Sequence, residues 1–386
     1  MLATIGSVGM WSVVVALPAV QAEFGVTRAE ASLPYTLTTV GFAFGGILTG
    51  RLSDRFGILV PAIGGAVVMA AGYALSSLGG SLWLFALAQG LLIGGGSSAT
   101  FGPLIADISH WFTRRRGLAV AVCSSGNYVA GAIWPPVIQH LIATTGWRHT
   151  YLVVGLIVIV TMVPLALLAL RRRVASHADA AIDAVGTAGS LGLSPNVLMV
   201  LLSFAGIACC VAMAMPQVHI VAYCGDLGYG VARGAEMLSL MLGFGIISRI
   251  GSGFVADRIG GLATLLLGSV LQGIALMLYI AFDGLTSLFV ISALFGLFQG
   301  GIVPMYAIII REYFPPAEAA GRLGIVLMAS LFGMAVGGWM SGAIFDLTGS
   351  YQAAFANGVL WNLANVAIVL WLMWRRARPT GALAPA

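Results

Sequence analysis

The chain has 386 residues, 60% of them hydrophobic and only 8% charged, with a mean hydropathy of +1.01. Soluble globular chains carry about 25% charged residues, so this one cannot cover a water-facing surface of its own size; soluble enzymes, disulfide-stapled secreted scaffolds, disordered tails and single-anchor receptors are excluded. The net charge of +5 comes entirely from arginine, since all 18 basic residues are Arg, and they sit mostly in short connections between apolar runs, a topology signal rather than a nucleic-acid face.

A spanning helix takes about 20 apolar residues, and the chain predicts twelve. Six run from Leu2 to Val20, Glu30 to Leu52, Ile58 to Leu78, Leu82 to Ile108, Gly117 to Ile142 and Thr150 to Leu170. Six more run from Pro195 to Val221, Gly234 to Val255, Leu262 to Phe282, Leu285 to Glu312, Gly321 to Phe345 and Ala353 to Trp374. The first has no basic stretch before it and no small-residue cleavage site, so it reads as a retained helix rather than a signal peptide. The sequence begins almost inside it, which leaves open a short leader missing from this start. The polar stretch Arg171 to Asn196 lacks apolar periodicity and reads as a linker or surface helix. The predicted organisation is a six-helix bundle over residues 1–170, a cytoplasmic linker over 171–196, and a second six-helix bundle with a short cytoplasmic tail over 197–386. This is an all-α polytopic membrane protein.

Arginine counts orient the array. Arg51, Arg55, Arg114, Arg115, Arg116, Arg171, Arg172, Arg173, Arg258, Arg311, Arg322, Arg375, Arg376 and Arg378 fall at one end of the helices, and Arg28, Arg148 and Arg233 at the other, leaving Arg249 inside a span. By the positive-inside rule the first end is cytoplasmic, with both termini and the linker on that side of the cell's inner (plasma) membrane. The cysteines (Cys123, Cys209, Cys210, Cys224) show no metal-ligand spacing and read as small apolar packing residues. No metal and no cofactor is expected.

The two halves repeat. Gly50-Arg-Leu-Ser-Asp54-Arg55-Phe-Gly57 recurs as Gly253-Phe-Val-Ala-Asp257-Arg258-Ile-Gly260, and Gln89-Gly90, Thr145-Gly146 and Trp111-Phe112 recur as Gln299-Gly300, Thr348-Gly349 and Tyr313-Phe314, in the same order at offsets of 202 to 210. Parallel duplication places a substrate site near the midplane between the halves. The paired Gly-xxx-Asp-Arg-x-Gly loops, the six-plus-six layout and the central linker resemble the major facilitator superfamily over essentially the whole chain, though Ile58 and Leu59 replace the basic pair that trails the first loop in the family. The resemblance implies two pseudo-symmetric bundles and gating by Asp54, Arg55, Asp257 and Arg258 at the cytoplasmic side.

Ionised side chains deep in a span are functional candidates by default. All 13 carboxylates fall in loops or helix ends, whereas Arg249 lies eight residues before Asp257, about 12 Å inward. Gly245, Ser252 and Gly253 leave room beside it for a ligand; the plain alternative is an arginine that snorkels or bonds a neighbouring carbonyl. The stretch Met215-Pro-Gln-Val-His219, Gly225-Asp-Leu-Gly228, Ser248-Arg249 and Asp257-Arg258 resembles the monocarboxylate-transporter branch and its oxalate–formate exchanger relatives, in which an arginine of helix eight binds the substrate carboxylate. The chain departs from that branch at Gly245, where animal members carry an acid, in having no lysine in helix one, and in having no basic residue between Leu323 and Phe345.

Asn127, Tyr128 and Tyr306 are further substrate candidates by depth, against the alternative that they bond neighbouring helices; Trp11 and Phe332 are candidates for the apolar wall, against plain packing. His219 is a candidate titrating gate or an interfacial polar residue. Gly41 with Gly45, Gly46 with Gly50, Gly333 with Gly337 and Gly338 with Gly342 have small-xxx-small spacing and predict close helix contact. Arg114-Arg115-Arg116 reads as an orientation and headgroup cluster that can also brace the Asp54 loop. The functional expectation is secondary active transport of a small organic anion, in the first place a monocarboxylate, by alternating access, with protons as an optional coupling ion and a monomer as the working unit. The alternative is efflux of a neutral or amphipathic compound with Arg249 structural. An enzyme is not expected, because no nucleophile, base and metal-ligand set gathers at one depth.

Overall fold

Apolar runs of this length satisfy their backbone polar groups inside a membrane only by coiling, and in the computed structural model, which describes residues 1–111, 116–170 and 191–377, the described chain is helical with no strand. Among the described residues, eleven helices are long and apolar enough to span. They are α1 (Leu2–Phe24), α2 (Arg28–Phe56), α3 (Leu59–Leu78), α4 (Leu82–Ile108), α6 (Trp147–Ala169), α7 (Pro195–Asp226), α8 (Val231–Ile259), α9 (Gly261–Ala281), α10 (Leu285–Tyr313), α11 (Gly321–Thr348) and α12 (Tyr351–Arg376). The twelfth, α5, is in two pieces, Arg116–Ser124 and Gly126–Thr145. Ser124-Ser125-Gly126 accounts for the break: serine hydroxyls compete for backbone partners and glycine has no helical bias. A Cβ at Gly126 would also sit 2.6 Å from that of Ala3, so glycine lets α1 close on α5. Residues 171–190 of the expected linker, and Arg114 and Arg115 of the expected cluster, lie outside the described residues.

The duplication is visible in three dimensions. In the first half Tyr73, Phe85, Trp147 and Tyr151 form a buried aromatic cluster with ring centroids 5.3–5.6 Å apart, and the Tyr73 hydroxyl meets that of Ser12 at 2.9 Å. In the second half Tyr279 stacks on Phe355 at 4.9 Å and packs edge-on to Phe295, with its hydroxyl 2.8 Å from that of Ser292. Neutral polar groups paired this way satisfy each other where no water reaches.

The glycine pairs act as expected where helices cross. On α11, Cβ atoms at Gly333 and Gly337 would collide with α7 backbone at Ile207 and Val211, and one at Gly342 would lie 2.9 Å from the Arg28 carbonyl. Gly41 and Gly45 of α2 face Gly90 and Gly95 of α4, whereas Gly46 and Gly50 have open space beside them.

Candidate functional site

The two pieces of α5 meet at Ser124 and Ser125, beside a backbone carbonyl. Arg249 of α8 reaches across to it: Nη1 donates to the Ser124 carbonyl at 3.1 Å, and the guanidinium lies 4.7 Å over the Tyr128 ring. Its Nε is buried with no hydrogen-bond partner, and no described carboxylate pairs with it. Among the described residues it is a half-buried cation over an aromatic face with no counter-ion, an arrangement that chemically can accept an anion.

Of the other candidates Tyr128 touches it, and Trp11 and Asn127 are bonded to each other beside Tyr128. Trp11 of α1 donates its indole N–H to the Asn127 side-chain oxygen at 3.1 Å and to the Asn127 carbonyl at 3.2 Å, which ties α1 to α5 beside Tyr128. The room that Gly245 and Ser252 leave is already taken. A Cβ at Gly245 would run into the Tyr128 ring, and Ser252 packs on Gly301. Only Gly253 keeps open space. The acid that the resembling branch carries at the Gly245 position is here replaced by the edge of a tyrosine.

Tyr306 and Phe332 stand apart from this set. Tyr306 is fully buried in a separate core with Ile302, Met305 and Ile309 of its own helix and Cys209 and Cys210 of α7, its hydroxyl without a partner. Phe332 is 56% exposed, on a stripe with Ile325 and Trp339.

Asp54, Arg55, Asp257 and Arg258 are exposed at the arginine-rich end. They form no ion pair among the described residues, and Arg55 rests 5.1 Å over its neighbour Phe56. The side chain of Arg116 is not described, so bracing of the Asp54 loop has no contact to report.

The opposite end is latched by residues that the sequence marked only as helix-end charges. Arg28, with a side chain 7% exposed, binds Asp226 of α7 through Nη2 at 3.2 and 2.9 Å. Asp346 of α11 accepts from the backbone N–H groups of Arg28 and Ala29 at 2.8 and 2.7 Å, capping the positive end of α2. The Arg28 guanidinium lies 5.1 Å from the Phe345 ring. His219 is buried just inside this latch, its Nε2–H donating to the Gly338 carbonyl at 2.8 Å and its Nδ1 unpartnered. The signal in the sequence was one basic and two acidic residues, Arg28, Asp226 and Asp346, at helix ends.

Comparison with known proteins agrees with this architecture. The model of the Major Facilitator Superfamily matches residues 1–283 and 241–386. Monocarboxylate transporter 13 of Bos taurus is 28% identical over 348 residues, spanning 87% of this chain and 79% of that protein. An agnestins efflux protein of Paecilomyces divaricatus is 23% identical, spanning 84% and 73%. Among solved structures, the nucleoside transporter NupG superposes with a TM-score of 0.74 at 13% identity over 97% of this chain and 98% of that one. A bacterial homologue of the human lysosomal transporter Spinster, inward-facing and occupied, superposes with a TM-score of 0.70 at 15% identity over 97% and 93%.

Proposed function

The chain belongs to the Major Facilitator Superfamily, a family of membrane transporters and not of enzymes, and from that premise we propose that it moves a small organic anion, in the first place a monocarboxylate, by alternating access. One observation carries the reading: Arg249 lies deep in a span over Tyr128, with a buried N–H idle and no described carboxylate to neutralise it. A guanidinium in low dielectric takes a carboxylate through two parallel hydrogen bonds. Nε and one Nη present the right fork; Tyr128, Asn127 and Trp11 form the adjoining wall. The name of the mammalian relative supports the same substrate class.

The Arg28–Asp226–Asp346 latch closes the outer side in this conformation. The Asp54–Arg55 and Asp257–Arg258 loops stand free on the cytoplasmic side and close it in the alternate one. The chain works as a monomer in the inner membrane with both termini cytoplasmic. The driving force is a gradient, either of protons, with His219 behind the latch as the candidate site, or of an exchanged anion.

The test is uptake of radiolabelled L-lactate or pyruvate into proteoliposomes with and without an inward proton gradient. Uptake is expected to fall about hundredfold in Arg249→Gln, from loss of about 3 kcal/mol of charge-assisted binding, with the melting temperature held. Carboxylate uptake unchanged in Arg249→Gln sinks the anion site. A second reading has its own support, because the Ser124 carbonyl and the Tyr128 ring partly satisfy Arg249 and one relative is named an efflux protein. Export of an amphipathic dye that ignores added carboxylate favours it.

A further inference from the structure

A cavity of about 610 Å³ lies on the flank of the first half, between α2 and α3 and over α4. Its walls are Leu37, Phe44, Leu48, Val60, Val68 and Leu91, and its floor is glycine. Phe44, Leu48 and Leu91 are 61–69% exposed. Side-chain hydroxyls contribute almost nothing: Thr49 at its edge already donates to the Gly45 carbonyl at 2.9 Å. Two features shape the slot. The stretch Ala88–Gly94 of α4 is a π-helical turn, a form that recurs at functional sites. Gly64 and Gly95 have nothing within 4 Å of where a Cβ would stand, so their missing side chains are part of the empty space.

Length and charge point to the occupant. From Leu37 to Leu52 the slot follows fifteen residues of helix, about 22 Å, which is more than one leaflet's half of the roughly 30 Å hydrocarbon core. An open apolar groove of that length, floored by glycine, suits an extended hydrocarbon chain. Charge then selects the headgroup. Phe44, Leu48, Arg51 and Arg55 follow one another at spacings of four, three and four, so the two exposed arginines continue the slot's own face at its arginine-rich end. Asp54 lies about 100° round the helix from Arg55.

We propose that this groove holds one acyl chain of an anionic phospholipid, with the phosphate on Arg51 and Arg55. The site is separate from the Arg249 site, and its test does not depend on transport. Native mass spectrometry of the purified full-length protein in detergent, titrated with phosphatidylglycerol or phosphatidylcholine, reads it directly. One phosphatidylglycerol is expected to stay bound where phosphatidylcholine does not. Arg51→Gln lowers its retention about fivefold, the value of one arginine at an anionic headgroup, without changing phosphatidylcholine. Gly95→Leu fills the slot and removes the bound lipid. Gly64→Leu fills it from the facing helix and serves if the first variant fails to fold. Equal retention of both lipids, unmoved by either glycine variant, means bulk annular lipid and overturns the proposal. A dimer in the parent that either glycine variant dissociates makes a second copy the occupant, and overturns it too.

Discussion

Two arginines lie inside this molecule against aromatic rings, and they differ in what surrounds them. Arg28 sits 5.1 Å from the Phe345 ring, is nearly buried, and holds Asp226 of the other half. Arg249 sits 4.7 Å over Tyr128 and holds only a backbone carbonyl. The side chain and the aromatic floor are the same; the carboxylate is the difference. Arg28 is paired across the halves, and Arg249 has no carboxylate among the described residues, which is what the proposed anion site rests on.

The repeat explains how Arg28 acquired its partner. Glu23, at the end of α1, is held within its own half by the Trp147 indole and by Arg148, whose guanidinium also caps the Ser77 and Gly79 carbonyls. Asp226 ends α7 as Glu23 nears the end of α1, and Tyr351 opens α12 as Trp147 opens α6. The residue after Tyr351 is Gln352 rather than arginine. Asp226 therefore lacks a cation in its own half and takes one from the other half. A missing arginine converts an internal brace into a contact between the halves.

The comparison can be broken in order of expected effect. Arg28→Gln removes the cross-half pair and should cost about 3 kcal/mol, at the low end for a buried pair because Asp226 is 40% exposed. The melting temperature in detergent should fall, and spin labels at residues 30 and 347 should move apart; an unchanged distance denies the latch. Gly245→Ala pushes a methyl into the Tyr128 ring and should cost about 2 kcal/mol of overpacking. Tyr128 is then displaced from Arg249, and the KM for carboxylate should rise with the labelled distance unaltered. A normal KM would mean that the ring does not shape the site.

Gln352→Arg tests the repeat itself. It restores to Asp226 the in-half cation that Glu23 enjoys, in competition with Arg28. A gain of about 0.5 kcal/mol, typical of an exposed pair, should shift the closed population about twofold toward open in the same label measurement. Closing instead of opening would refute the equivalence of the two positions. Arg148→Gln should have the smallest effect on the labelled distance, which stays constant, because its bonds to Glu23 and to the Ser77 and Gly79 carbonyls lie within the first half. The exposed pair with Glu23 itself contributes under about 1 kcal/mol.

Much of this was legible in the residues. Apolar run length set the helices, because in lipid a backbone can satisfy itself only by coiling. The Asp54–Arg55 and Asp257–Arg258 loops disclosed the duplication, and Arg249 stood out because burying a charge is costly enough to need a reason. Asn127 and Tyr128 were chosen by depth and Trp11 as an apolar wall, and the structure bonds Trp11 to Asn127 beside Tyr128. Tyr306 and Phe332 stand apart, because depth fixes height along the membrane normal and leaves rotation about the helix axis free.

What the sequence by itself determined about this protein is its solvent, its helices, its internal repeat and its family, all of which follow from local hydrophobicity and from motifs within one segment. Only the tertiary structure decided which charges meet. Arg28 and Asp226 are 198 positions apart, and Gly245 reads as vacant space until Tyr128, from another helix, fills it. Pairing across that separation depends on how two bundles are packed and rotated against each other, and no single segment encodes that arrangement.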